Sequence, residues 1–287
     1  MLVEGNIMLC RMDTILKAAK KEGFAVPAPN VWNLETIQKA IQIAEEEHSP
    51  IILDYGEGGD ERHIFEIALI SKYYGERSTV PVAINLDHGE TFEGAIRAIK
   101  AGFTSVMVDR SSLPFEDNLR ETKEICKIAH AADVSVESEL GHVGYGYEYE
   151  ETRNSGLTDP NLAKQFAEES ETDCLAVSIG TSHGTYKGTP YLDFDLLTKL
   201  NESLTIPLVL HGGSGTGDDN LKKAISIGIQ KINLYTDLSI AAIDCFDKNY
   251  IENKISKDLY DIMELPYNAY GEKLRYYCKL FGSSGRI

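Results

Sequence analysis

Short apolar segments alternate with longer amphipathic ones along most of the chain, and this pattern predicts eight strands that are each followed by a helix. The predicted strands span residues 24–27, 50–54, 80–84, 104–109, 133–139, 174–179, 207–210 and 231–234. The clearest predicted helix spans residues 34–47, where apolar residues recur at helical spacing after Asn33, a favourable capping residue. Further helices are predicted over residues 62–74, 90–101 and 114–131, after Asp159-Pro160, and in the charged segments that follow Asn249.

Strands that alternate with helices at this spacing predict a parallel sheet with right-handed crossovers. Eight such units place the chain in the α/β class and predict closure into a (β/α)8 TIM barrel with extra C-terminal helices. A doubly wound open sheet is the competing fold, but no GxGxxG motif follows the first predicted strand. The chain has 287 residues, a length that α/β barrels reach routinely, so we expect a single domain over residues 1–287.

The net charge of −17 argues against a nucleic-acid-binding protein, because such proteins present basic surfaces to the phosphates. The same charge argues against an anionic membrane as partner, and no apolar run approaches the ~18 residues of a membrane span. The first 21 residues lack a signal-peptide pattern. The five cysteines are scattered and form no CxxC pair, so we expect buried free thiols and a cytoplasmic location.

Three histidines follow predicted strands, and each stands directly before a glycine: His88, His183 and His211. The carboxyl ends of barrel strands form one rim around one pocket, so residues distant in sequence can meet there. Three imidazoles with an open position are the ligand set of a catalytic Zn²⁺, although Co²⁺ and Fe²⁺ also suit them. The alternative interpretation is three unrelated polar loop residues. Asp87 precedes His88, where a carboxylate is either an acid–base group or a support for a ligand.

The segments after the last two predicted strands are candidates for binding phosphate. Residues 211–215 read HGGSG, and residues 233–237 read NLYTD. Barrels bind phosphate in these loops through backbone N–H groups, a hydroxyl group and a helix N-terminus. Gly184 and Lys187, after the sixth strand, would add an amide and a cation. A GGSG run alone also occurs as a flexible turn, but its place beside His211 favours an anion site.

These motifs also resemble those of a known family. LDHG, SELG, SIGTSHGTYKG, VLHGGSG and KINLYTDL occur in this order, with NLETIQKAI near the start and FGSSGR at the end. They are similar to the motifs of the class II, metal-dependent ketose-bisphosphate aldolases, whose central members are the fructose- and tagatose-bisphosphate aldolases. The resemblance extends along nearly the whole chain. The motifs are highly specific for the superfamily and much less specific for the substrate.

The resemblance implies a zinc-dependent aldolase that reversibly cleaves a ketose phosphate or bisphosphate to dihydroxyacetone phosphate and an aldehyde through a metal-stabilised enediolate. By similarity the three histidines bind the catalytic Zn²⁺, and Asp87 exchanges the proton of the C4 hydroxyl group. Asp109 and Glu139 match carboxylates that serve a second metal position in relatives, or they support the histidines. Asn233 would lie near the enediolate oxygen. The residues that would hold dihydroxyacetone phosphate are Gly184, Lys187, Gly212, Gly213, Ser214, Asn233, Leu234, Tyr235 and Thr236.

The chain departs from the family pattern in a loop and at the aldehyde end. Residues 144–150 read GYGYEYE in place of a GGxED-type segment, so Glu148 is the first candidate for the acid that moves the enolate proton, and Glu150 the second. A family-like DPR segment is replaced by LPY at residues 265–267. Either Arg62, Arg110 or Arg153 binds a second phosphate instead, or the aldehyde carries none. A homodimer or homotetramer is expected by resemblance. The alternative function is a catalytically silent, sugar-phosphate-binding relative with the same barrel.

Overall fold

Eight parallel strands form one sheet in the order β1-β8-β7-β6-β5-β4-β3-β2. This computed structural model describes residues 8–56, 61–152, 154–251 and 258–287. The strands are β1 (Val26–Pro29), β2 (Ile51–Gly56), β3 (Val82–Gly89), β4 (Ser105–Val108), β5 (Ser135–Leu140), β6 (Cys174–Val177), β7 (Leu208–Leu210) and β8 (Ile229–Leu234). A parallel bridge joins Asn30 to Asp54, and the N–H group of Val31 donates to the Asp54 carbonyl over 2.8 Å. The sheet is therefore a nearly closed barrel, and the predicted fold is confirmed.

Helices surround the barrel and follow the strands as the sequence pattern predicts. They are α1 (Met12–Glu22), α2 (Leu34–Glu46), α3 (Glu61–Gly75), α4 (Phe92–Ala101), α5 (Phe115–Ala131), α6 (Tyr149–Thr152), α7 (Pro160–Ser170), α8 (Phe194–Ser203), α9 (Asp218–Ile227), α10 (Thr236–Ile251) and α11 (Leu259–Leu280). Asn33 caps α2 as predicted, because its Oδ1 accepts from the Thr36 N–H group over 2.9 Å. Across the described ranges, none of the helices is both long and apolar enough to cross a membrane.

In several strands, such as β2 and β4, alternate residues belong to two separate apolar cores, because successive side chains of a strand point to opposite faces. On β2, Leu53 packs outward against the helices, whereas Ile52 points into the barrel. The inner core also contains Ala83, Met107 and Val209 from other strands. Every residue of β4, β5 and β8 is buried, as expected for a parallel sheet covered on both faces.

Helix α1 was not predicted from the sequence, although its apolar residues have helical spacing. Met12, Ile15, Leu16 and Ala19 are buried, and they join the inner core of the barrel rather than the outer one. The N–H group of Met12 donates to the Ser135 Oγ over 3.1 Å, at the beginning of β5. Helix α1 therefore covers the amino-terminal end of the barrel, and the opposite end is left for the polar residues.

Candidate active site

The polar residues that follow the inner apolar core lie on the same face of their strands. Met107 and Val209 point into the barrel, so Asp109 and His211, each two residues later, continue on the inner face. A cavity of about 610 Å³ opens at this end. Its lining residues are Asn30, Val31, Trp32, Tyr55, Gly56, Asp87, His88, Glu90, Tyr145, His183, Gly184, His211, Gly212, Gly213, Ser214, Asn233, Tyr235 and Thr236. The structure thus brings the three predicted histidines into one pocket.

An irregularity in β3 allows two neighbouring residues to reach this pocket. The sequence predicts that β3 ends at Ile84, but the strand continues to Gly89 and its pairing with β4 shifts between Leu86 and Gly89. His88 has a φ of 50°, which non-glycine residues adopt rarely. In a regular strand Asp87 and His88 would point to opposite faces, and the shift turns His88 back toward the inside.

The three imidazoles form a compact cluster. Their ring centroids are 4.6 Å apart for His88 and His211, 4.9 Å for His88 and His183, and 5.7 Å for His183 and His211. One nitrogen of each ring lies within 4.8 Å of the others. His211 is fully buried.

Two carboxylates fix which nitrogen of His88 and of His211 is free to bind an ion. The Nδ1–H group of His88 donates to Asp109 Oδ2 over 2.7 Å, and the Nε2–H group of His211 donates to Glu137 Oε1 over 2.8 Å. The other two nitrogens, His88 Nε2 and His211 Nδ1, face each other at 3.1 Å. Neutral rings would place two lone pairs there, and these repel unless a cation or a proton lies between them. Nitrogens that bind one tetrahedral Zn²⁺ lie about 3.3 Å apart, so the residues fit such an ion.

The electrostatic surroundings also favour a positive charge in the cluster. Burial alone would lower the pKa of His88, but the charge of Asp87 and the hydrogen bond to Asp109 raise it to about 10. Burial and the neighbouring His211 and His88 rings lower the pKa of His183 to about 3. These shifts favour a positive charge at His88 and a neutral ring at His183, whose lone pair is then available to an ion.

Asp87 lies beside the histidines and is held by two amides. Its Oδ1 accepts from the Nδ2 of Asn233 over 3.0 Å, and its Oδ2 accepts from the Nδ2 of Asn30 over 2.9 Å. Burial alone would raise the pKa of Asp87, but the charges of His88, His211 and Lys231 lower it to about 2. The carboxylate is therefore ionised and fixed in position at the wall of the cavity.

A buried ionic chain that was not predicted from the sequence lies behind His211. Glu137 accepts from His211 with one oxygen and from Lys231 Nζ over 2.7 Å with the other. The same Nζ lies 3.2 Å from Asp54 Oδ2, and Asp54 Oδ1 accepts from Asn85 over 2.9 Å. All these side chains are fully buried. Strand residues two positions apart point to the same face, and this spacing could have revealed the chain. Lys231 stands two residues before Asn233, and Glu137 stands two residues before Glu139.

A second group of possible ligands shares His88. One ligand atom each of His88, Asp109 and Glu139 lies within 4.8 Å of the others. Glu139 accepts from the Val143 N–H group over 3.0 Å with Oε1, whereas Oε2 is buried and has no hydrogen-bond partner among the described residues. Burial and the charge of Asp109 raise the pKa of Glu139 to about 8. An unpartnered buried carboxylate oxygen is suited to a cation.

The loops after β7 and β8 provide a turn lined by backbone groups. Gly212 has a φ of 68°, and a Cβ atom there would lie 2.4 Å from the Ser182 carbonyl oxygen. A Cβ atom on Gly213 would lie 2.4 Å from Ile232 Cγ2, so both positions require glycine. Helix α10 begins at Thr236 beside this turn, and the first N–H groups of a helix have no acceptor within it. The Ser214 Oγ accepts from the Asp237 N–H group over 3.1 Å and fixes the turn to the helix.

Several predicted site residues lie away from the cavity lining. Lys187 and Glu148 are exposed, and Leu234 is buried behind the wall. Arg110 is buried and donates to Glu121 over 2.7 Å and to the Gly89 carbonyl over 2.9 Å, so its guanidinium group is already bound. Arg153 lies outside the described residues, as does the side chain of Arg62.

The barrel and the histidine cluster together define an α/β-barrel enzyme with a candidate metal centre at the carboxyl ends of its strands. The family model described as fructose-bisphosphate aldolase class-II matches residues 10–286. The chain therefore belongs to the class II fructose-bisphosphate aldolase family, and it is an aldolase, a carbon–carbon lyase. Metal dependence is general in this family, whose substrates are phosphorylated sugars.

Solved structures of similar proteins agree with this assignment. The YdjI aldolase from Escherichia coli K12 is 34% identical, with a TM-score of 0.86 over 97% of this chain and 99% of that one. A putative fructose-1,6-biphosphate aldolase from Coccidioides immitis is 27% identical, with a TM-score of 0.84 over 96% and 97%. The fructose-bisphosphate aldolase from Campylobacter jejuni is 23% identical, with a TM-score of 0.83 over 98% and 97%, and shows the shared fold.

Proposed function

We propose that this aldolase reversibly cleaves a ketose phosphate to dihydroxyacetone phosphate and an aldehyde, with one Zn²⁺ held by His88, His183 and His211. The observation that carries this proposal is the pair of ring nitrogens, His88 Nε2 and His211 Nδ1, that face each other at 3.1 Å while carboxylates bind the opposite nitrogens. When bound, the ion supplies Lewis-acid polarisation of the substrate ketone. Nitrogen ligands suit Zn²⁺ well.

Asp87 is the proposed acid–base group for the C4 hydroxyl group of the substrate. It lines the cavity, and Asn30 and Asn233 hold both of its oxygens, so the carboxylate can accept a proton without first reorienting. It takes the proton during cleavage and returns it to the aldehyde oxygen during condensation. Asn233 also lines the cavity, and we assign it a place beside the reacting oxygens of dihydroxyacetone phosphate.

The phosphate of the substrate is proposed to bind between the turn after β7 and the beginning of α10. The hydroxyl group of Ser214 and the backbone N–H groups of Gly212, Gly213 and Tyr235–Thr236 supply donors, and the helix N-terminus favours an anion. Leu234, buried just before this segment, positions its backbone. Gly184 lines the same cavity. Lys187 is exposed in the same loop, where it adds positive charge near the entrance.

The remaining assignments concern a loop acid, a second ion and the assembly. Glu148 lies in the short 3-10 helix Gly146–Glu148, and it is proposed to move the enolate proton when the loop meets substrate. Asp109 and Glu139 are proposed as an alternative ion position, which the unpartnered Glu139 Oε2 supports. The protein is further proposed to be a cytoplasmic homodimer or homotetramer; its five free cysteines are consistent with a reducing compartment.

Dihydroxyacetone phosphate release, measured with a coupled dehydrogenase on a panel of ketose phosphates, tests the proposal. Activity should disappear in chelator and return with Zn²⁺, and full activity in chelator would refute the role of the metal. Asp87→Ala should bind the metal normally but turn over about 10²- to 10⁴-fold more slowly, the usual loss for a general acid–base group. Near-normal turnover by this variant would remove Asp87 from the mechanism.

A further inference from the structure

The two ends of the cavity differ in chemistry. At the β7–β8 end, glycines, Ser214 and the start of α10 present hydrogen-bond donors. At the β1–β3 end, the lining beside Asp87 and His88 consists of Asn30, Val31, Trp32, Tyr55, Gly56 and Glu90. If dihydroxyacetone phosphate occupies the first end, as the proposed function requires, the aldehyde half of the substrate must face the second end.

Two of the helices that begin at the β1–β3 end, α2 and α4, have a capped N-terminus in the described part of the chain. At α2, the Thr36 N–H group donates to Asn33 Oδ1 over 2.9 Å, and the Asn33 N–H group donates to Thr36 Oγ1 over 3.2 Å. At α4, the Gly94 N–H group donates to Thr91 Oγ1 over 3.0 Å. The Thr36 and Gly94 N–H groups therefore already have acceptors and are not open to a phosphate.

The charge at this end also opposes an anion. Within the described part of the chain, the cavity lining contains no lysine or arginine, but it contains the carboxylates of Asp87 and Glu90. Arg110, which follows β4, donates to Glu121 and to the Gly89 carbonyl, so its charge is not available to the cavity. A phosphate on the aldehyde would approach Glu90, an exposed carboxylate, without a cation from the described lining to balance it.

Aromatic rings, rather than cationic side chains, lie on both sides of the cavity entrance. Trp32 is 43% exposed, and the rings of Tyr235 and Tyr270 contact it edge-on with centroids 5.9 and 5.8 Å away. Across the cavity Tyr145 stacks on Tyr147 with centroids 5.6 Å apart. These contacts fix the rings in place before substrate arrives. The face of an aromatic ring is apolar and electron-rich, so it suits the C–H groups of a sugar and not an anion.

The geometry points to an aldehyde subsite for an uncharged hydroxyaldehyde, which makes the substrate a ketose monophosphate rather than a bisphosphate. Trp32 provides the surface for the carbon chain, and Glu90 accepts from its hydroxyl groups and repels a phosphorylated aldehyde. This inference rests on the proposed function, because it requires dihydroxyacetone phosphate to occupy the other end.

Condensation of dihydroxyacetone phosphate with paired aldehydes tests the inference on the full-length, Zn²⁺-loaded protein. D-Glyceraldehyde and D-erythrose should each give a kcat/KM about fivefold higher than D-glyceraldehyde 3-phosphate, since two like charges about 4 Å apart in water cost about a factor of five. A preference for D-glyceraldehyde 3-phosphate would overturn the inference. Proton exchange of dihydroxyacetone phosphate in D₂O, followed by NMR without any aldehyde, separates the two proposals. If the protein exchanges the proton but prefers D-glyceraldehyde 3-phosphate, only the proposed aldehyde subsite is refuted. If the protein does not exchange the proton, the proposed function is refuted.

Two variants assign the effect to the named residues. Glu90→Gln should raise the ratio of kcat/KM for D-glyceraldehyde 3-phosphate to kcat/KM for D-glyceraldehyde about threefold or more. It should also remove the increase in this ratio that added salt is expected to give the wild type. Trp32→Ala should raise KM for D-erythrose about tenfold while proton exchange stays unchanged, and Trp32→Phe should restore part of the loss. Phe65→Ala removes an exposed ring on α3, outside the cavity lining, and is the matched control. An unchanged aldehyde preference in Glu90→Gln, or an unchanged KM in Trp32→Ala, would overturn the assignment.

Discussion

Replacing Lys231 by methionine removes the ammonium group that lies between two buried carboxylates. Lys231 Nζ is 2.7 Å from Glu137 Oε2 and 3.2 Å from Asp54 Oδ2, and all three side chains are fully buried. Burial alone would raise the pKa of Glu137, but the charge of Lys231 and the hydrogen bond from His211 hold it below its usual range. Methionine has a similar shape and no charge, so Lys231→Met leaves Glu137 and Asp54 facing each other without a cation between them.

The expected loss follows from the cost of an unpaired buried charge. Breaking a buried ion pair by removing one partner destabilises a protein by about 3–5 kcal/mol. An unfolding entropy of about 2.1 cal/mol/K per residue gives about 0.6 kcal/mol/K for 287 residues. A loss of this size therefore lowers Tm by roughly 5–8 °C.

Thermal unfolding followed by circular dichroism, in chelator at pH 7.5, measures this loss without a contribution from bound metal. The triple variant Lys231→Met, Asp54→Asn, Glu137→Gln removes the ammonium group and both carboxyl groups, so no unpaired charge stays buried, and it should recover most of the lost Tm. Lys199→Met, which removes an exposed lysine on α8, should stay within about 1 °C of the wild type. If Lys231→Met also stayed within 1 °C, or if the triple variant recovered nothing, the ionic chain would not have the stabilising role argued here.

Three further perturbations test the metal centre, the phosphate turn and the N-terminal helix. Glu137→Gln should weaken metal affinity about 10- to 100-fold in competition with a chelator, because His211 loses its charged acceptor; unchanged affinity would contradict this. Gly213→Ala should weaken dihydroxyacetone phosphate binding about tenfold in calorimetry, because its Cβ would lie 2.4 Å from Ile232, whereas Gly56→Ala meets nothing within 4 Å and is the control. Burial alone would raise the pKa of Asp13, but hydrogen bonds from Lys17 and Arg11 lower it. The ionised Asp13 therefore stabilises the folded protein above the unfolded pKa of about 3.9, and this stabilisation is lost as pH falls through the folded pKa. Asp13→Asn should therefore lower Tm at pH 7, and the difference should vanish at acid pH; a constant difference would refute the linkage.

The barrel could be predicted because each strand is buried on both faces. Residues 133–139 and 174–179 are short segments with strand-forming residues between predicted helices, and the structure contains β5 and β6 there. The ends of strands were harder to predict. At β3 the apolar run stops at Ile84, yet hydrogen bonding to neighbouring strands continues through polar residues to Gly89. Local composition cannot show this, since the neighbours that extend the strand are distant in sequence.

The convergence of the three histidines could be predicted from their places after strands, but their orientations could not. The φ of 50° at His88 depends on the shifted pairing with β4, and the tautomer of His211 depends on Glu137, 74 residues earlier in the chain. Lys187 and Glu148 were assigned from motif position alone, and the structure places both outside the cavity lining. The sequence thus identified ligand types, whereas hydrogen bonds between strands determine which atoms face the pocket.

The barrel interior also explains why a buried lysine accompanies this site. Near the amino-terminal end, the barrel interior is apolar and contains Met12, Ile52 and Val209. At the carboxyl ends of the strands, the ring nitrogens that bind an ion must be held in defined tautomers, as Glu137 holds His211. A tautomer is fixed by a carboxylate behind the ring, and such a carboxylate lies too deep for water to solvate it. Lys231 supplies the compensating charge from the neighbouring layer, and the orientation of His211 therefore depends on a residue that never touches substrate.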